Sequence, residues 1–285
     1  MELVDRLRHH VASLAASPRP PGSVAHRRAA EYVRDHLRQA GFEPWEAPFS
    51  EAGFTGFNLI AKPQPDREDL PLLIVGAHYD SRSETPGADD NASGVAGLLE
   101  LAQWIAPRLK QPQTPRARLQ LVAYDLEEFG TVGSFVHARQ LRRAHADICG
   151  MISLEMLGFT SAKQQLPPQL AALYPSVGNF IGVVGNENSA GMMQQVAADM
   201  KTVDGLPVES LAVPGNGEAL YETRLSDHSP FWDHGFQALM ITDTSFFRNP
   251  HYHRATDTAE TLDYPFLAKV TLGACRAVAK LIHAD

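Results

Sequence analysis

Two adjacent glutamates, Glu127 and Glu128, follow the apolar run Leu119-Gln-Leu-Val-Ala-Tyr124 and precede Phe129-Gly130. Such a run reads as a strand, and successive residues at its end point to opposite sides. One carboxylate can then hold a cation while its neighbour takes a proton. Histidines and further acids stand on either side, as His78-Tyr-Asp80 upstream and Tyr252-His253 downstream. Asp80 lies where a carboxylate can accept the second ring N–H of a metal-bound His78 and fix its tautomer.

Gly87-Ala-Asp-Asp-Asn-Ala-Ser-Gly94 places two carboxylates at the start of a helical pattern. Taken alone it reads equally as a solvated acidic turn with an N-cap, but the two oxygens of Asp90 can bridge two cations. Glu155 ends the apolar run Ile148-Cys-Gly-Met-Ile-Ser-Leu154. A carboxylate there is costly unless paired or metal-bound. His253 sits in the polar stretch His251-Tyr-His-Arg-Ala-Thr-Asp257, which offers competing donors.

The elements that must position these groups alternate. Leu3, Leu7, Val11 and Leu14 recur at helical spacing until Pro18-Arg-Pro-Pro-Gly22. Ser23 is the expected N-cap of a second helix to Ala40, closed by Gly41. Strands are expected at Asn58 to Ala61, Leu72 to Ala77, Leu119 to Tyr124, Ile148 to Leu154, Phe180 to Val184 and Ala238 to Ile241. Helices are expected from Asn91 or Ser93 to Leu109, over 131–143, and from Pro265 to Ile282. This alternation predicts a three-layer α/β/α sandwich around a central mixed, mostly parallel sheet. The chain reads as one domain, 1–285, with an irregular excursion at about 161–225 that shapes a pocket.

Bulk properties narrow the class. The chain has 285 residues, 44% of them hydrophobic, enough for a substantial core. A formal charge of −8, with no basic tract, argues against nucleic-acid binding. No window resembles a membrane span. The opening Met1-Glu-Leu-Val-Asp-Arg-Leu-Arg carries no visible signal peptide, so a cytoplasmic location is the default; a secreted or periplasmic chain trimmed of its leader would look the same. The two cysteines, Cys149 and Cys275, form neither a disulfide framework nor a metal cluster and read as small buried hydrophobes, with a single bridge between them left open by the spacing.

His78-Tyr-Asp80, the Asp-Asp-Asn-Ala-Ser-Gly block, Glu127-Glu128, Glu155, Ser226-Asp-His-Ser-Pro-Phe231 and Tyr252-His253 occur in that order. In this the chain closely resembles the M28 family of zinc peptidases, whose best-known members are dinuclear aminopeptidases. The resemblance runs from the helix before Gly41 to the C-terminal helix. It implies two zinc ions bridged by Asp90, with His78 and Glu155 completing one site and Glu128 and His253 the other. It implies Glu127 as general base, Asp80 behind His78, a cis Asp90–Asn91 peptide, and Tyr252 as donor to the tetrahedral intermediate. Many family members carry Asp where this chain has Glu155, one methylene longer.

The reaction implied is hydrolysis of the N-terminal bond of peptides with a free N-terminus. Phe246-Phe247 is a candidate wall of a pocket for an apolar first side chain, or a core pair. Arg224 is a candidate substrate contact. Asp227-His228 reads as a supporting pair, and Met192-Met193 as core. Alternatives are a dipeptidase or carboxypeptidase-like hydrolase, which needs a cationic clamp, a single-zinc glutaminyl cyclase, and a non-catalytic binding module.

Overall fold

Leu72–His78 is buried at every residue, as an uninterrupted apolar strand requires. In the computed structural model, which describes residues 1–64, 66–111 and 114–283, it lies inside a single eight-stranded sheet. The strands are β1 (Phe42–Glu51), β2 (Phe54–Pro63), β3 (Leu72–His78), β4 (Arg118–Tyr124), β5 (Ile148–Glu155), β6 (Ile181–Asn186), β7 (Val208–Val213) and β8 (Ala238–Thr242). Their spatial order is β1-β2-β4-β3-β5-β8-β6-β7. The β4-β3-β5-β8 block is parallel, as is β6-β7, while β1-β2, β2-β4 and β8-β6 pair antiparallel.

The helices are α1 (Leu3–Leu14), α2 (Val24–Gln39), α3 (Gly94–Leu109), α4 (Val132–Arg143), α5 (Pro168–Ala171), α6 (Ala190–Met200), α7 (Ser229–Asp233) and α8 (Tyr264–Ile282). The two-residue period of β3 sorts them into layers. Leu73 and Val75 join a core with α1, α2, α3, α6 and α8. Leu72 and Ile74 join a second core with Ala138 of α4 and Phe231 and Trp232 of α7. The result is the expected α/β/α sandwich. Ser23 caps α2 by accepting from His26 N–H at 3.0 Å. Among the described residues, no helix is long and apolar enough to cross a membrane.

Two differences from the sequence reading concern the sheet's flanks. β1 and β7 were not expected, and both are edge strands. The 161–225 segment is also less irregular than expected: besides the expected strand β6, which pairs directly with β8, it contains α6 and β7.

Candidate metal centre

β3, β4 and β5 run parallel, so their C-terminal ends meet at one edge of the sheet. Ligand sites in such sheets gather at that edge. His78 is the last residue of β3 and Glu155 the last of β5. Glu127 and Glu128 lie just past the end of β4. Asp90 enters from the turn Ala88–Ser93 that leads into α3, and His253 from the loop beyond β8.

The side chains converge in two groups that share Asp90. His78, Asp90 and Glu155 form one, and Asp90, Glu128 and His253 the other, each with its ligand atoms within 4.8 Å of one another. His78 Nε2 lies 3.2 Å from Asp90 Oδ1 and 3.5 Å from Glu155 Oε2. His253 Nε2 lies 3.1 Å from both Asp90 Oδ2 and Glu128 Oε2. Asp90 thus turns one oxygen to each group. Glu127 Oε2 stands 3.7 Å from His78 Nε2, outside both groups but over the first.

A second set of contacts holds these groups in place. Asp80 accepts the backbone N–H of Glu127 at 3.2 Å and of Glu128 at 3.3 Å, and its Oδ1 lies 3.5 Å from His78 Nδ1. Asp257 accepts the N–H groups of Asp89 at 3.0 Å and Asp90 at 3.2 Å. Ser226 Oγ donates to Glu155 Oε2 at 2.8 Å. The Asp90–Asn91 peptide is cis. The Asn91 side chain donates to Leu154 O at 2.8 Å and accepts from Met156 N at 3.0 Å, tying this turn to the end of β5. A Cβ on Gly94 would collide with Asn91 Oδ1 and the Leu154 carbonyl, so this close approach needs glycine. Leu126, Met156 and His253 all have left-handed φ, at 60°, 48° and 56°. Such residues are uncommon outside glycine and gather at functional sites.

The electrostatics call for positive charge. Burial pushes the Glu127 carboxyl well above its usual range, and the charges of Glu155, Asp227 and Glu128 add to the effect against His78. Burial, then the Asp90 charge, raises Glu128 to about 7. Burial opposes protonation of His253, yet hydrogen bonds to Asp90 and Glu128 outweigh it and raise the imidazole to about 9. His78 Nε2 and Glu128 Oε1 are buried without a hydrogen-bond partner. Buried polar atoms rarely stay unpaired. Orphaned donor atoms, excess carboxylate and three-ligand groups of imidazole and carboxylate all fit zinc.

The structure brings Tyr252 to the same place. Its ring stacks on His253 at 3.8 Å, and burial raises its phenol so that the hydroxyl stays protonated. A cavity of about 440 Å³ opens from the centre, lined in part by Tyr252, Arg224, Phe246 and Phe247. Phe246 is 39% exposed, which places it in the wall rather than the core. Arg224 is committed to Asp233 at 2.7 and 2.9 Å. Asp227 and His228 belong to neither ligand group; His228 Nε2 donates to Thr223 O at 2.8 Å. Met192 and Met193 are core, Cys275 is buried, and Cys149 is half-buried; both thiols are free.

Sequence reasoning missed the positioning parts. Asp257 was visible as an acid four residues after His253, and Ser226 as the start of the Ser-Asp-His motif. Neither carried a signal for what it touches.

The family model for Peptidase family M28 matches residues 58–278. The chain belongs to this family. It is 40% identical over 263 residues to uncharacterized protein YfbL of Escherichia coli (strain K12), covering 86% of this chain and 77% of that one. It is 32% identical over 149 residues to leupeptin-inactivating enzyme 1 of Streptomyces exfoliatus, covering 52% of this chain but only 33% of that one. Among solved structures, a zinc aminopeptidase from Bacillus subtilis superposes with TM-score 0.76 at 15% identity, over 100% of this chain and 98% of that one. A glutaminyl cyclase from Porphyromonas gingivalis gives 0.73 at 20% identity, over 98% and 99%. These two likenesses speak to the fold.

Proposed function

We propose that this M28 peptidase is a two-zinc aminopeptidase that removes the first residue of peptides with a free N-terminus. The reading is carried by one observation: two ligand groups share Asp90, with Glu127 poised beside them and a cavity adjoining. His78, Asp90 and Glu155 would hold one ion, and Asp90, Glu128 and His253 the other. Bound there, two zinc ions would supply Lewis acidity and a water acidic enough to ionise near neutral pH.

The chain's own groups do the rest. Glu127 takes a proton from the attacking water and later gives it to the leaving nitrogen, so water adds across the C–N bond. Glu127 must be ionised to act as base, and cations held in the two groups would oppose the effect of burial and favour that form. The Tyr252 hydroxyl donates to the carbonyl oxygen as negative charge develops on it. Asp80 and Ser226 hold His78, Glu155 and the 127–128 backbone in register. The first side chain of the substrate enters the cavity against Leu166, Leu170, Phe246 and Phe247.

A carboxypeptidase-like reading needs a free cation for the C-terminal carboxylate. The arginines lining the cavity are both engaged, Arg82 by Glu84 at 3.0 Å and Arg224 by Asp233. The cyclase reading is supported by fold likeness, whereas two ligand groups favour two ions over one. With zinc supplied, a tripeptide should lose its first residue, and its N-acetylated form should stay intact. Equal cleavage of both would refute an aminopeptidase. Closure of an N-terminal glutamine without release of the next residue's amine would favour the cyclase.

A further inference from the structure

We infer that the cavity selects an N-terminal lysine or arginine, with Glu209 and Glu222 receiving the cationic end of a side chain whose stem lies on apolar walls. This rests on the aminopeptidase reading and names its substrate class.

The sheet register sets the distance. Glu155 pairs with Thr242, Thr242 with Gly182, and Gly182 with Glu209. Residues directly opposite in neighbouring strands face the same side of a sheet. One rung therefore runs from a metal-facing carboxylate to an unassigned one. Three strand spacings put their backbones roughly 14 Å apart. That gap suits a long side chain bound between a metal centre at one end and a carboxylate at the other.

The floor between them is open and apolar. A Cβ on Gly182 would lie 3.3 Å from Thr242 O and 3.9 Å from the Thr242 methyl, with no further atom within 4 Å. The adjoining rung is Met240, Val184 and Leu211. Leu170 and Tyr174 line the same cavity, and Tyr174 is fixed by donating to Ser210 O at 2.8 Å.

Glu209 and Glu222 both line this cavity and are half-buried. Arg82 and Arg224, the arginines in its lining, are already held by Glu84 and Asp233. Among the described residues, Glu209 and Glu222 form no ion pair. A leucine side chain would shield these carboxylates from water and offer them nothing. A lysine or arginine brings methylenes for the floor and a cation for the acids.

The test compares 4-nitroanilides of lysine, arginine, norleucine and glutamate on the zinc-loaded full chain. Norleucine matches the lysine stem without its charge. The expected kcat/KM for lysine exceeds that for norleucine by about tenfold or more, with glutamate slowest. In Glu209→Gln/Glu222→Gln, the lysine-to-norleucine ratio should fall by about tenfold. Norleucine equal to lysine in the wild type, or a ratio unmoved in the double variant, overturns the inference. The wild-type ratio reads without any variant, so a folding defect cannot mask it. A protein that cleaves norleucine but disfavours lysine sinks this inference alone, while one that cleaves none of the four sinks the aminopeptidase reading as well.

Discussion

The two halves of the cavity are built differently. The half with the two ligand groups stands on the ends of β3, β4 and β5, where Asp80 and Asp257 accept backbone N–H groups of the acids, Asn91 donates to Leu154 O and Ser226 donates to Glu155. The half that would receive the side chain is assembled from β6, β7, short helical turns and loops. Its lining includes Tyr221, 65% exposed, and Phe246, 39% exposed. Chemistry that needs atoms held to fractions of an ångström is placed on rigid elements, whereas specificity is carried by surfaces that loops can vary.

Removing the base should produce the largest effect. Glu127→Gln keeps the side chain's size and leaves both ligand groups intact. We expect kcat to fall by about 10²–10⁴-fold, with zinc content by elemental analysis unchanged. Retained turnover would take Glu127 out of its role and break the contrast at its strongest point.

A pair of substitutions separates the halves. Asp257→Ala leaves the buried N–H groups of Asp89 and Asp90 without their acceptor. Loss of such a supporting contact should weaken metal affinity by about 10–100-fold, measured by chelator competition. Phe246→Ala should leave that affinity alone and raise KM instead. Matching effects from the two variants would mean that the halves are one unit.

The smallest effect lies in the scaffold beneath the metal half. His137 is buried, its Nδ1 shares a hydrogen bond with the Tyr124 hydroxyl at 3.1 Å, and burial holds its imidazole down to about 4. Its folded value lies below the unfolded one, so the unfolded chain binds the extra proton between about pH 6.5 and 4. The contribution of the neutral ring is fully present above that window and is lost as pH falls through it. His137→Phe should flatten the pH dependence of unfolding stability there by on the order of 1 kcal/mol per pH unit, measured by urea titration. An unchanged slope would show that the ring already titrates normally in the folded chain.

The parts hidden from the sequence share a cause. β1 carries Pro44 and Pro48 and alternates unevenly between buried and exposed positions. β7 is buried only at its first and last residues. Both sit at sheet edges, where a strand needs neither an apolar run nor every backbone donor. α6 does carry an apolar stripe, Met192, Met193, Val196, Ala197 and Met200, but it lies inside a segment whose prolines, glycines and asparagines suggest loop. Central β3 and β5, by contrast, were legible because burial on both faces demands continuous apolar residues.

The sequence by itself determined the candidate ligand types, the paired glutamates and the alternation that makes an α/β/α sandwich. Residue chemistry and periodicity are local properties and survive in one dimension. Only the tertiary structure decided that Asp90 turns one oxygen to each histidine, that Asp257 holds the Asp89–Asp90 turn, and that Glu209 lies on the same rung as Glu155. Those relations join residues 12 to 168 positions apart through strand register and loop closure. No local pattern encodes such distances, because they arise from how the sheet orders its strands.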